Sequence, residues 1–89
     1  MLAYVDLTDI GFLSGLTGME ELYIVWVPLS DIRVLGTLGS LRTVELVGTN
    51  VVDILPLLAL PNLQTFIIQE TPARADVITE LKKRGVTIK

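Results

Sequence analysis

The side chains of this 89-residue chain that could do chemistry are carboxylates: ten Asp and Glu stand against seven Lys and Arg, with no His and no Cys. Glu20-Glu21, or Glu45 with Glu21, are the pairs that could share work as acid and base. Asp9, Asp31 and Asp53 recur every 22 residues and could form a ladder of carboxylates for a cation. Against both stands what is missing. Without His the commonest general base and metal ligand are absent, and without Cys there is neither a thiolate site nor a disulfide framework. No glycine-rich phosphate loop and no nucleophile elbow occurs. Each Asp directly precedes an Ile (Ile10, Ile32, Ile54) where a turn of helix should open, so accepting a hydrogen bond from free backbone N–H groups explains the series better. No catalytic, cofactor-binding or metal-ligating residue is expected, and the chain reads as a non-enzyme.

The elements that place these residues follow from the stretch Leu41–Asn62, LRTVELVGTNVVDILPLLALPN. Its apolar residues fall at Leu41, Val44 and Leu46, then after a Thr-Asn step at Val51, Ile54, Leu57 and Leu60. No single helix or strand gives that mixture, whereas a short strand followed by a tight helical return does. Laid out at a spacing of 22, the chain shows seven aligned apolar columns. These are Met19, Leu41, Leu63; Leu22, Val44, Phe66, Ile88; Leu2, Ile24, Leu46, Ile68; and Leu7, Leu29, Val51. The last three are Ile10, Ile32, Ile54; Leu13, Leu35, Leu57; and Leu16, Leu38, Leu60. Alternation in Glu21–Val25, repeated at Arg42–Val47 and Thr65–Gln69, is that of a strand with Leu22 and Ile24 inward. The every-third-residue spacing after Ile32 and Ile54 suits 3₁₀ or short helical turns, in which positions i and i+3 eclipse. Stacked coils then give a parallel sheet with one strand per coil.

Composition sets the outer bounds. A chain of this length is one small domain, and with half of its residues apolar it must bury much of itself. The net charge of −3, with no basic block beyond Lys82-Lys83-Arg84, argues against nucleic-acid and anionic-membrane partners. No apolar run approaches the ~20 residues that span a bilayer, and the first residues lack the pattern of a signal peptide. A cytoplasmic location is the expectation, unless the chain is a fragment of an exported protein.

The run Leu-x-x-Val-x-Leu-x-Gly48-Thr49-Asn50-Val51-x-Asp53-Ile54-x-Pro56-Leu57 resembles the 22-residue leucine-rich repeats of bacterial internalin-like proteins, in their Gly-Thr variant. The resemblance covers essentially the whole chain and implies an α/β fold. That fold is a right-handed leucine-rich-repeat solenoid whose parallel sheet of four to five short strands lies on the concave face, with 3₁₀ or short-helical returns. It also implies protein binding through that face rather than catalysis. The units would be a partial repeat at 1–18, repeats at 19–40 and 41–62, and a last strand with a C-terminal cap at 63–89. In such repeats an Asn usually sits after the strand and bonds the backbone of the next coil. Here that place holds Val5, Val27, Thr49 and Thr71, of which only Thr can do part of the work. After Pro72 the chain reads as an α-helix (Val77, Ile78, Leu81) with basic residues in its last turn and Gly85 as its stop, followed by a strand at Val86–Ile88. A polar-faced helix is what a C-terminal cap requires. No comparable N-terminal cap is seen, which predicts pairing through an open edge strand.

Outward columns of the expected sheet are Glu21, Thr43, Thr65, Thr87; Met1, Tyr23, Glu45, Ile67, Lys89; Ala3, Val25, Val47, Gln69; and, at the strand exits, Tyr4, Trp26, Gly48, Glu70. Tyr23, Val25, Trp26, Val47 and Ile67 are expected to form an exposed apolar patch rimmed by Glu21, Glu45, Gln69 and Glu70, with Tyr4 beside it. Aromatic residues inside a polar rim are the usual make-up of a binding hot spot. The plainer alternative is that Trp26 lies flat over Gly48 and Tyr23 is ordinary strand surface. The expected function is a protein-interaction module, with an immunity protein that neutralises a bacterial toxin as a narrower form. A structural segment or spacer of a longer repeat protein is the alternative.

Overall fold

Glu21, Thr43 and Thr65 open three successive strands, and the spacing between them sets the architecture. The computed structural model describes residues 2–5 and 10–89, the first four through their backbone. Strands β1 (Leu2–Val5), β2 (Glu21–Val25), β3 (Thr43–Val47), β4 (Thr65–Gln69) and β5 (Thr87–Ile88) form one sheet in chain order. Every neighbouring pair is parallel. Parallel neighbours need a crossover connection, and such crossovers are right-handed. Three of the returns carry 3₁₀ segments, at Gly11–Leu13, Arg33–Thr37 and Leu55–Ala59, and the fourth carries helix α1 (Ala75–Lys83). This is the leucine-rich-repeat solenoid that the repeat implies.

The core is built from the repeated columns. Leu22, Ile24, Val44, Leu46 and Phe66 point inward from the sheet and are fully buried. Opposite them, Leu13, Leu35 and Leu57 come from the 3₁₀ segments, each donating its N–H to the Ile three residues earlier at 2.9–3.0 Å. The turn repeats at Leu38, whose N–H reaches the Leu35 carbonyl at 3.1 Å, and at Leu41, which reaches Leu38 at 3.1 Å. Three residues per turn keep these side chains on one edge.

Asp31 and Asp53 work as the start of those turns. The Asp31 Oδ1 accepts from the Arg33 N–H at 2.9 Å, and the Asp53 Oδ1 from the Leu55 N–H at 3.0 Å. Asp9 lies outside the described residues, as do Met1 and Leu7.

The Thr column ties coils together. Thr71 Oγ1 accepts from the Thr49 N–H at 3.3 Å, lies 3.0 Å from the Thr49 hydroxyl, and is 3.1 Å from the Leu46 carbonyl to which it can donate. Thr49 is buried, so these bonds replace the water it gives up. Val27, in the same column, is buried as an apolar residue.

At the C-terminal end α1 begins at Ala75, two residues later than Ala73. Arg74 is its extended N-cap, and the Arg74 N–H reaches back to the Val52 carbonyl at 3.1 Å. Val77 and Leu81 face the core. The helix stops at Gly85 (φ +90°), where the Gly85 N–H bonds the Lys82 carbonyl at 3.0 Å and the Val86 N–H bonds Leu81 at 3.1 Å. That pair of bonds is the Schellman closure, for which glycine is the least strained residue. Arg84 Nη1 adds a 2.6 Å bond to the Leu58 carbonyl, fastening the cap to the coil beneath.

The N-terminal end departs from the 22-residue layout. Leu2 lies beside Glu21, Ala3 beside Leu22, Tyr4 beside Tyr23 and Val5 beside Ile24, a spacing of 19. Leu2 therefore does not continue the Ile24 column, nor Ala3 the Val25 column. Val5 does not share the turn position of Val27, and Tyr4 belongs in the row of Tyr23 rather than at the strand exit with Trp26. From Ile10 onward the 22-residue correspondence holds, so the shortening lies in the connection after β1. A strand with one described neighbour has its register fixed from one side only, and column counting cannot see a shorter connection. Leu16 shows the same end effect. It is 38% exposed, where its column partners Leu38 and Leu60 are 0% and 5%.

Candidate functional site

The outward face of the sheet is read in rows. Parallel register sets Glu21, Thr43, Thr65 and Thr87 in one row and Tyr23, Glu45 and Ile67 in the next. Tyr4 joins that second row by its backbone; its side chain lies outside the described residues. Val25, Val47 and Gln69 form the third row. The sheet thus brings seven of the ten residues expected to bind a partner onto one face, namely Glu21, Tyr23, Val25, Glu45, Val47, Ile67 and Gln69, while Trp26 and Glu70 follow at the strand exits.

One expectation needs correction. Tyr23, Val25, Val47 and Ile67 are half-buried, and Trp26 alone of the five apolar residues is exposed, at 69%. Neighbouring parallel strands run roughly 4.8 Å apart, so side chains of the same row on adjacent strands shield one another. Gln69 and Glu70 are exposed, while Glu21 and Glu45 are half-buried. The Tyr23 hydroxyl donates to Glu21 Oε1 at 2.7 Å, which holds the phenol ring toward the first row.

Trp26, Gly48 and Glu70 close the face at the strand exits. All three have left-handed backbones, with φ of 56°, 67° and 51°. The ladder still runs through the first two, the Trp26 N–H bonding the Val47 carbonyl at 2.7 Å and the Gly48 N–H bonding Gln69 at 2.9 Å. The sharp turn after β2, β3 and β4 imposes this conformation at all three exits, although only one of the three has the glycine that takes it without strain. The Trp26 indole lies across Gly48: a Cβ there would fall 2.6 Å from ring carbons Cδ2 and Cζ3 and closer still to Cε3. The packing of Trp26 on Gly48 is thus real, and it leaves most of the ring open to solvent.

Charge on the face is unbalanced. The ion pairs among the described residues are Arg33–Asp31, Arg42–Glu20 and Arg74–Asp76, none of which involves Glu21, Glu45 or Glu70. The hydrogen bonds from the Arg33 guanidinium and backbone N–H hold Asp31 below its ordinary pKa of 3.8, and the same contact raises Arg33. A recess of about 340 Å³ at the strand starts is lined by Glu20, Arg42, Asn62 and Gln64. Among the described residues no group of three or more His, Cys, Asp or Glu is placed to hold a metal ion, and no helix is long and apolar enough to cross a membrane.

Beyond the face, Phe12, Val52 and Leu55 are exposed apolar residues of the connecting arcs. They fall between the core columns, and that placement is the signal that would have marked them in the sequence.

No protein-family model and no curated protein matches the sequence. Among solved structures, the chain is similar to an internalin (InlF) from Listeria monocytogenes, with a TM-score of 0.82 and 24% sequence identity. The match covers 94% of this chain and 25% of that one, so this chain spans about a quarter of the internalin's length. The correspondence is one of backbone fold, and the chain has the internalin-like leucine-rich-repeat fold.

Proposed function

We propose that this chain is a non-enzymatic protein-interaction module that receives its partner on the concave face of the sheet. The observation that carries this reading is Trp26, a largely exposed indole at the end of β2 beside the half-buried Tyr23, Val25, Val47 and Ile67. A large aromatic ring flanked by partly shielded apolar residues and rimmed by Glu21, Glu45, Gln69 and Glu70 has the composition of an interface centre. Pull-down with the wild-type chain, against a Tyr23→Ala/Trp26→Ala double variant of equal stability, tests it. Capture lost in the variant supports the reading; capture unchanged refutes it.

A narrower form is an immunity protein that acts in the cytoplasm and occludes a basic bacterial toxin. Its support is the net charge of −3 together with the carboxylates on the face. Toxin neutralisation in a growth assay, abolished by the same double variant, is the expected result.

The exposure of Leu16 favours a second reading, in which the module is a segment of a longer solenoid or pairs with another copy through β1. Sedimentation of the chain would then show self-association that Leu16→Glu suppresses. A concentration-independent monomer would exclude the pairing of copies.

A further inference from the structure

We infer that the partner is selected by charge, and that it sets a Lys or Arg side chain against Glu45. The inference rests on the reading of the concave face as the docking surface. Glu45 lies on β3, the middle strand of the five, with Tyr23 on one side and Ile67 on the other in the same row. Along its own strand the outward neighbours are Thr43 and Val47. The carboxylate is already half-buried and, among the described residues, is in no ion pair. Among the described residues the basic member of this row is Lys89, which follows β5 on the far side of Ile67.

A partner seated on Tyr23, Val25, Val47 and Ile67 must cover Glu45 as well, because it stands in their midst. Covering a carboxylate without a counter-charge has a desolvation cost that apolar contacts of this size would not offset. A cationic side chain removes that cost. Glu21 on the same face and Glu70 at the exit of β4, neither in an ion pair among the described residues, extend the negative potential toward an approaching basic surface. Glu45 acts as the residue that decides the partner's charge, while Trp26 and Tyr23 supply contact area.

The test is selection of a displayed library of random short peptides on the whole chain, followed by affinity measurement against variants. Recovered binders are expected to carry a Lys or Arg between apolar residues. Glu45→Gln should weaken them at least about tenfold, and rising salt should weaken the wild-type complex more than the Glu45→Gln complex. Glu45→Lys should select peptides bearing Asp or Glu instead. Binders that are lost in Trp26→Ala but indifferent to Glu45→Gln overturn the charge inference and leave the docking face standing. Binders indifferent to both, or none recovered, overturn the face and the inference with it.

Discussion

Substituting Gly48 by Ala asks whether Trp26 and the left-handed exit are as the structure has them. Two costs arise. At φ +67° an L-residue is strained, by roughly 1–2 kcal/mol. The new methyl would also occupy the space of the indole, so the ring must lift off. About a third of the residue is covered, which corresponds to roughly 70 Å² and, at about 25 cal/mol per Å², to on the order of 1.5–2 kcal/mol. Gly48→Ala should therefore destabilise by about 2.5–4 kcal/mol. In a Trp26→Ala background the ring contribution is already gone and only the strain of about 1–2 kcal/mol should remain. Urea unfolding of the wild type, both single variants and the double variant measures the coupling directly. Trp26 is the chain's one tryptophan, so its emission reports displacement of the ring in the folded state. A coupling energy below about 0.5 kcal/mol, with unchanged emission in Gly48→Ala, would refute the proposed packing.

Other substitutions probe the rest of the scaffold. Thr71→Val keeps the shape but removes the acceptor for the Thr49 N–H and the partner of the Thr49 hydroxyl; urea unfolding should show a loss of about 2 kcal/mol. Leu38→Ala should cost about 2–5 kcal/mol in the same assay, and Leu16→Ala distinctly less because much of that side chain is already in water. Asp31 has its folded pKa below 3.8, so its ion pair contributes stability above that value and loses it as pH falls through the folded pKa. The stability difference between wild type and Asp31→Asn should accordingly be present at neutral pH and vanish in acid. Because both partners are exposed, added salt should shrink it.

What the sequence determined by itself is the coil. A strand alternation, a three-residue turn spacing and their common period name a single stacking, because only aligned columns can bury Leu22, Val44 and Phe66 together with Leu35 and Leu57. The turn-opening roles of Asp31 and Asp53 and the Gly85 stop were equally legible, since each is a local bond between neighbours in the chain. What only the tertiary structure decided depends on contacts across coils. The register of β1 rests on the length of one connection and on a single neighbouring strand, so Tyr4 moved from the row of Trp26 to that of Tyr23. The left-handed exits at Trp26 and Glu70 were hidden, because the turn geometry is imposed by the coil and only Gly48 among the three announces it. The exposure of the face residues was decided last. Whether Val25, Val47 and Ile67 stand open or shelter one another is set by strand spacing, which the alternation of residue types does not contain.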